Sequence, residues 1–294
     1  MSIQMDCVVQ SADILGEVPL WCDRTKKLWW VDVRRPALQS YDPATGKHTA
    51  QRLPEMLQVG AIALREAGGF LLATNRGLYL FDPETQQPPL QIADPEPGRE
   101  GMRLNDGKCD RRGRFWVGSM HDKLRDPLGT LYRLDADHQC RPMLDGFVLP
   151  NAISWSLDDR TMYFADTHNQ VVWAFDFDVD DGVISNRRVF KDWTGQPGRP
   201  DGATVDAEGY IWNCMVISGQ LVRLAPDGSV VRTIQMPVTF PTCPAFGGPD
   251  LATLYVTSHS QRLPAEQIVK EPYAGGLFAL DVGVRGVPEP RYAG

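Results

Sequence analysis

VWAFD, at residues 172–176, alternates apolar with variable side chains and closes on an acidic turn. That is the period-two pattern of a half-exposed strand. The phrase recurs as LQSYD (38–42), LYLFD (78–82), LYRLD (131–135), LVRLAPD (221–227) and LFALD (277–281). A second phrase, more continuously apolar, precedes each: KLWWVDV, GFLLAT, GRFWVGSM, TMYFADT, GYIWNCMV and TLYVTSH. Such runs predict buried strands. Ahead of every buried strand lies a polar turn (DRTKK, REAGG, DRRG, LDDR, DAEG, GGPD), and before it one more short apolar segment. Six units in 294 residues leave 49 residues each, the length of a four-stranded propeller blade at about 40 to 50 residues. The pattern predicts an all-β, six-bladed β-propeller, a single domain over residues 1–294. An irregular β-sandwich is also rich in short strands, but it does not account for six matching phrases. The segment around Cys7 to Val9 is expected to pair with LFALD, because joining the two termini removes an exposed edge. No apolar spacing of three and four is sustained, and Gly 27 with Pro 23 punctuate the chain, so helix should be minimal.

Composition narrows the function. Hydrophobic content of 43% with 23% charged residues and eight Trp describes a globular protein with ample core. A formal net charge of -7 and the lack of any Lys/Arg cluster argue against a nucleic-acid partner. The start, MSIQMDCVVQ, has no basic segment followed by a long apolar one, and no apolar run reaches membrane-spanning length; the expectation is a cytoplasmic protein with no membrane partner. Six widely spaced Cys without a CxxC read as buried small hydrophobes. The Trp are expected to fill blade interfaces. Nothing in the strand pattern points to a partner surface, so the sequence leaves the oligomeric state open.

The stretch RPDGATVDAEGYIW (199–212) carries two turn signals, Asp201-Gly202 and Asp206 to Gly209, where a hairpin needs one. Aligning the six units on their hairpin turns assigns the turn to Asp206–Gly209. Five to seven residues ahead of the turn the units carry Glu17, Gly60, Asn105, Asn151, Asp201 and Thr242. In a propeller those positions lie where the chain begins the innermost strand, at one end of the central channel. Asn and Asp with neighbouring Gly or Pro are ordinary turn formers, yet Glu forms turns poorly and Glu17 sits at the same offset. Four of the six positions therefore offer side-chain oxygens to one place, the donor set of a hard or borderline divalent cation. The reading places a metal site at one end of the channel.

At these residues the chain resembles the SMP-30/gluconolactonase/LRE family of regucalcin-like lactonases. LGEVPLW (15–21), RLNDGKCDRRGRFWVGSM (103–120 from Arg103), LPNAISWS (149–156), RPDGATVDAEGYIW (199–212) and GGLFAL (275–280) carry the resemblance, over nearly the whole chain. It implies one divalent cation held by Glu17, Asn151 and Asp201, with Ca²⁺ or Zn²⁺ foremost and Mn²⁺, Mg²⁺ or Fe²⁺ as further candidates. It also implies substrate binding by Arg103 and Asn105, and hydrolysis of an aldonolactone such as a glucono-, xylono- or arabinonolactone, a step of carbohydrate metabolism. Two departures stand out. Val18 replaces the family's Gly, and HDKLRD (121–126) stands where the family supplies an acidic residue to the sugar, a part open to Asp122 or His121.

The chemistry is coherent on the residues themselves. An ester carbonyl needs an electrophile, a water and a base, and Asp201 is the expected base. No GxSxG and no HExxH is present, and His48, His121, His138, His168 and His259 show no ligand spacing. Two rival readings remain: a calcium- or ligand-binding propeller without catalysis, and a hydrolase of other esters or organophosphates in the same pocket.

Overall fold

In the computed structural model, which describes residues 4–54, 57–85 and 87–294, the six repeats form six four-stranded sheets. Neighbouring strands are antiparallel. Blade 1 comprises Gly16–Cys22, Lys27–Asp32, Ala37–Asp42 and Lys47–Arg52. Blade 2 comprises Val59–Leu64, Phe70–Thr74, Gly77–Phe81 and Leu90–Ala93. Blade 3 runs through Met102–Cys109, Phe115–His121, Gly129–Leu134 and Cys140–Phe147. Blade 4 follows with Pro150–Trp155, Thr161–Asp166, Val171–Asp178 and Val183–Asp192. Blade 5 holds Arg199–Val205, Ile211–Val216, Gln220–Leu224 and Val230–Gln235. Blade 6 takes Pro241–Gly247, Thr253–Ser258 and Leu277–Asp281 from the end of the chain and Met5–Val9 from its start. The chain is an all-β, six-bladed β-propeller. As expected, Met5–Val9 pairs with LFALD, Met5 opposite Leu280 and Val9 opposite Leu277.

Two compact units share the blades: residues 1–55 with 195–288 hold blades 1, 5 and 6, and residues 56–194 with 289–294 hold blades 2, 3 and 4. Within the first, Trp212, Phe246, Leu254, Phe278 and Leu280 form one cluster, and Trp21, Leu28, Trp30 and Tyr255 another. Within the second, Trp116, Ile153, Trp155, Phe164 and Phe177 pack together, with the Trp116 and Trp155 rings edge-on at 6.3 Å. Most Trp thus fill the space between neighbouring blades, while Trp29 is only half-buried and Trp193 lies just beyond a strand. Burial follows position in the blade. Val59–Leu64 and Phe70–Thr74, the first two strands of blade 2, are buried throughout and read as continuous apolar runs; Val171–Asp178, the third strand of blade 4, largely alternates in burial as in sequence; and Lys47–Arg52, the outermost strand of blade 1, is exposed throughout.

The same gradient corrects the expectation for cysteine. All six are free thiols; Cys22, Cys109, Cys214 and Cys243 are buried, but Cys7 and Cys140 are only half-buried because both lie on outermost strands. One helix, Ala265–Lys270, occurs among the described residues, between the second and third strands of blade 6, and it buries none of its residues. No helix among them is long and apolar enough to cross a membrane.

Candidate active site

Every innermost strand is interrupted at the same place. The pairing with the second strand shifts between Glu17 and Leu20, Val59 and Ala61, Leu104 and Gly107, Asn151 and Ser154, Pro200 and Ala203, and Pro241 and Pro244. The six positions read from the sequence fall in or beside these bulges, and a bulge re-aims the side chain it carries. After Glu17 and Asn151 the backbone turns left-handed, with φ of 50° at Val18 and 55° at Ala152. For a β-branched Val this is a strained conformation of about 1–3 kcal/mol, the physical reason a Gly suits that position. Gly60 has a different part. A Cβ there would lie 2.2 Å from the Leu104 carbonyl oxygen and 2.9 Å from the Asn105 Cα. Blade 2 therefore offers no side chain and instead lets the strand carrying Asn105 come close.

In the unit of blades 2 to 4, four of the expected residues join in one hydrogen-bonded chain. Arg103 donates from Nε to Asp122 Oδ1 at 3.0 Å and from one terminal nitrogen to Asn105 Oδ1 at 2.6 Å. Asn105 Nδ2 donates to Asn151 Oδ1 and to the Pro150 carbonyl, both at 2.9 Å. Asn151 Nδ2 in turn donates to Thr167 Oγ1 at 2.7 Å. Each amide's orientation is fixed by its partners: the Arg103 donor selects the Asn105 oxygen, and the Asn105 NH₂ so presented selects the Asn151 oxygen, leaving the Asn151 NH₂ for the Thr167 hydroxyl. Arg103 is buried although charged, and Asp122 compensates it. Asp106, next in sequence, accepts from the Ile153 backbone N–H at 3.2 Å and ties blade 3 to the bulge after Asn151. Burial pushes its carboxyl above the usual range, with the Lys108 ammonium and backbone N–H groups acting the other way.

Asp122 and His121, left open by the sequence, separate. Asp122 faces Arg103 and lines a cleft of about 390 Å³ shared with Gln58, Asn75, Arg76 and Arg99. His121 accepts the Lys123 backbone N–H on Nδ1 at 3.1 Å, and its ring lies over Gly101, whose Cβ would meet Nε2 at 2.6 Å. In the other unit, the His259 ring stacks on Phe240 at 4.4 Å, and burial pushes its pKa down to about 4, so the imidazole is neutral near pH 7.

The unit of blades 1, 5 and 6 supplies the carboxylates. Glu17 is half-buried and Asp201 is buried. The buried Cys214 thiol is pushed well above its ordinary value by burial first, then by the charges of Asp201 and Glu17. Both carboxylates therefore bear on one sulfur. Thr242, the blade 6 counterpart, is fully buried and donates to the Gly16 carbonyl at 2.6 Å, beside Glu17.

Residues outside the expected set hold these bulges. Asp32 accepts the Ile14 and Leu15 N–H groups, each at 3.1 Å, and so fixes the chain leading to Glu17. Asp166 does the same with Val148 and Leu149 ahead of Asn151, at 3.1 and 3.2 Å. A signal for both existed: each is the acidic residue near the end of its second-strand phrase, KLWWVD and TMYFAD. Among the described residues no group of three or more His, Cys, Asp and Glu could hold a metal; the expected set contains only two of those residue types, Asn151 supplying an amide.

Comparison with known proteins places these features in a family context. The model of the SMP-30/gluconolactonase/LRE-like region matches residues 15–260. The chain is 38% identical over 295 residues to a 6-deoxy-6-sulfogluconolactonase of Pseudomonas putida, covering the whole of both chains. It is 32% identical to regucalcin of Xenopus laevis, over all of this chain and 99% of that one. Among solved structures, a calcium-binding regucalcin of Agrobacterium tumefaciens superposes with a TM-score of 0.94 at 31% identity, covering 99% of this chain and 97% of the other.

Proposed function

We propose, from the premise that the chain belongs to the SMP-30/gluconolactonase/LRE-like family, that it is a lactonase: a hydrolase that opens a sugar lactone, the cyclic ester of an aldonic acid. The observation that carries this reading is the hydrogen-bonded chain Asp122, Arg103, Asn105, Asn151. It fixes a guanidinium and two amides in one arrangement, the donors and acceptors that a polyhydroxylated ring requires. Arg103, held by Asp122 and Asn105, cannot titrate near neutral pH and is suited to paired donation. Arg103 and Asn105 orient the lactone, which lowers the entropy cost of bringing its carbonyl to the attacking water.

Glu17, Asn151 and Asp201 would hold a divalent cation. Two features of the donors fit it. Asn151 Oδ1 faces away from Thr167 and accepts one hydrogen bond, from Asn105 Nδ2, which leaves its second lone pair for a cation, and Glu17 and Asp201 act on the same buried Cys214 thiol, two like charges that a cation would offset. An all-oxygen set suits Ca²⁺ and admits Zn²⁺, Mn²⁺ or Mg²⁺. When bound, such a cation stabilises charge developing on a carbonyl oxygen and makes water more acidic. Asp201 accepts the proton of the attacking water, the water oxygen bonds to the carbonyl carbon, and the ring C–O bond breaks. The ring oxygen leaves as the new hydroxyl, taking up the proton that Asp201 had accepted, while the second water proton goes with the new carboxyl group. Arg103 and Asn105 keep the lactone in place throughout.

Acid release followed at constant pH over a panel of aldonolactones, with and without a chelator, tests the reading. The expected outcome is turnover that chelation abolishes and Ca²⁺ or another divalent cation restores. Turnover indifferent to chelator would remove the cation, and no turnover of any aldonolactone would remove the activity.

A further inference from the structure

The bulge that carries Asp201 is built unlike the other five. Counting back two residues along each second strand from the partner of the residue ahead of the site position gives Trp30, Leu72, Val117, Phe164, Asn213 and Val256. All six are essentially inaccessible to solvent. Five are apolar, and Asn213 alone is polar. Burying an amide is costly unless its hydrogen bonds are made, and this one is incompletely satisfied: Asn213 Oδ1 is buried and accepts no hydrogen bond among the described residues. Its Nδ2 is fully engaged. It donates to the Asp201 carbonyl and to the Gly202 carbonyl, both at 2.9 Å, and lies 3.4 Å from the Cys214 carbonyl oxygen.

These contacts identify what the amide does. A bulge turns successive carbonyls out of the strand ladder, and here the pairing is interrupted between Pro200 and Ala203, leaving the Asp201 and Gly202 carbonyls to be satisfied by another donor. One side-chain NH₂ satisfies both. Gly202 is pressed against Cys243, whose Sγ would lie 2.5 Å from a Cβ on Gly202, so the backbone is pinned from both sides. The blade whose position carries the expected base is the one that substitutes an amide for an apolar core residue.

We propose that Asn213 is a positioning residue for the reaction: by clamping the Asp201 and Gly202 carbonyls it sets the direction of the Asp201 carboxylate. The inference rests on the reading of Asp201 given above. A merely structural Asn213 would affect folding stability alone, whereas a positioning Asn213 affects the chemical step in a protein that is still folded.

The test compares Asn213→Val, which installs the blade 3 and blade 6 residue, with Asn213→Thr, which has nearly the same shape and restores one donor. Steady-state kinetics on an aldonolactone well below the melting temperature, thermal melts, and calorimetric titration with Ca²⁺ in the absence of lactone are measured on all three proteins. For Asn213→Val, kcat should fall about thirtyfold with KM within about twofold, and Ca²⁺ affinity should drop about tenfold. Asn213→Thr should recover part of both losses. If Asn213→Val keeps kcat and Ca²⁺ affinity within twofold, whatever its melting temperature, the proposal is overturned. Should Asn213→Val not fold, Asn213→Thr decides: a three- to tenfold lower kcat supports the proposal, and an unchanged kcat and Ca²⁺ affinity overturn it. Asp201→Ala, run alongside, separates the two ideas, since full activity there removes the reading of Asp201 itself.

Discussion

The two ends of the innermost strands solve opposite problems with the same residue types. At the hairpin end, Asp206 is wholly buried and accepts from the Glu208 and Tyr210 backbone N–H groups at 3.0 Å, the Trp212 indole at 2.9 Å and Arg223 Nε at 2.8 Å. Asp110 repeats the arrangement with Arg112 N, Arg114 Nε and the Trp116 indole at 2.9, 2.7 and 2.9 Å. Both belong to the spacing D-x-x-G-x-x-W, with Gly113 and Gly209 at φ of 77° and 83°. At the bulge end, the backbone around Glu17, Asn151 and Asp201 is held by other residues: Asp32, Asp166, Asp106, Thr242 and Asn213. A carboxylate that gathers donors from its own turn organises the fold. A carboxylate set in a bulge whose backbone is held by others is the one proposed above as a ligand.

The sharpest way to break this contrast is Asp201→Asn. An oxygen remains but the base and one charge are lost, so kcat should fall about a thousandfold at saturating Ca²⁺ while the melting temperature stays within a few degrees. A variant with near-normal kcat would make Asp201 a ligand only, and the proton would pass to another group. Asp206→Ala should behave in reverse. It leaves Arg223 Nε, the Trp212 indole and two backbone N–H groups without their acceptor, with Glu208 still paired to Arg223, a loss of about 3 to 5 kcal/mol by denaturant titration, with kcat at 25 °C within about twofold. The sequence reading limited Asp206 to the turn; its bonds to Trp212 and Arg223, six and seventeen residues on, make it an anchor for three strands.

Asp13 sharpens the comparison with a smaller effect. It takes the Trp30 indole at 2.9 Å and the Gln39 amide at 2.5 Å, and burial, opposed by those hydrogen bonds, pushes its pKa up to about 6. The unfolded chain has a carboxyl near 3.9. Between those values the folded state binds more protons than the unfolded, so this group's contribution declines as pH rises from about 4 to about 6. Stability of the wild type relative to Asp13→Asn should therefore fall by roughly 2 kcal/mol across that window. A difference that stays flat from pH 4 to 7 would show that Asp13 folds in with an ordinary carboxyl.

What could be read from the sequence was local and repeated. Alternation in VWAFD and its five counterparts depends only on neighbours within one strand, and the offset from turn to bulge varies little because the innermost strands are all six to eight residues long. Even the pairing of Met5–Val9 with Leu277–Asp281 followed from the need to cover an edge. What escaped depends on tertiary contact. Asn213 looks like one polar residue in GYIWNCMV until the other blades show an apolar residue there. The division of labour between His121 and Asp122 turns on Gly101, whose missing side chain makes room for the imidazole. The helix Ala265–Lys270 is too short for a spacing pattern.

The central claim is that carboxylates hold a cation while the guanidinium and Asn105 hold the sugar. Calorimetric titration of Ca²⁺ into the wild type, Glu17→Gln and Arg103→Ala tests it most directly. The account expects Glu17→Gln to lose at least about tenfold in Ca²⁺ affinity and Arg103→Ala to bind Ca²⁺ within about twofold of the wild type, since a guanidinium cannot ligate a cation. Unchanged affinity in Glu17→Gln, or an equal loss in Arg103→Ala, would contradict it.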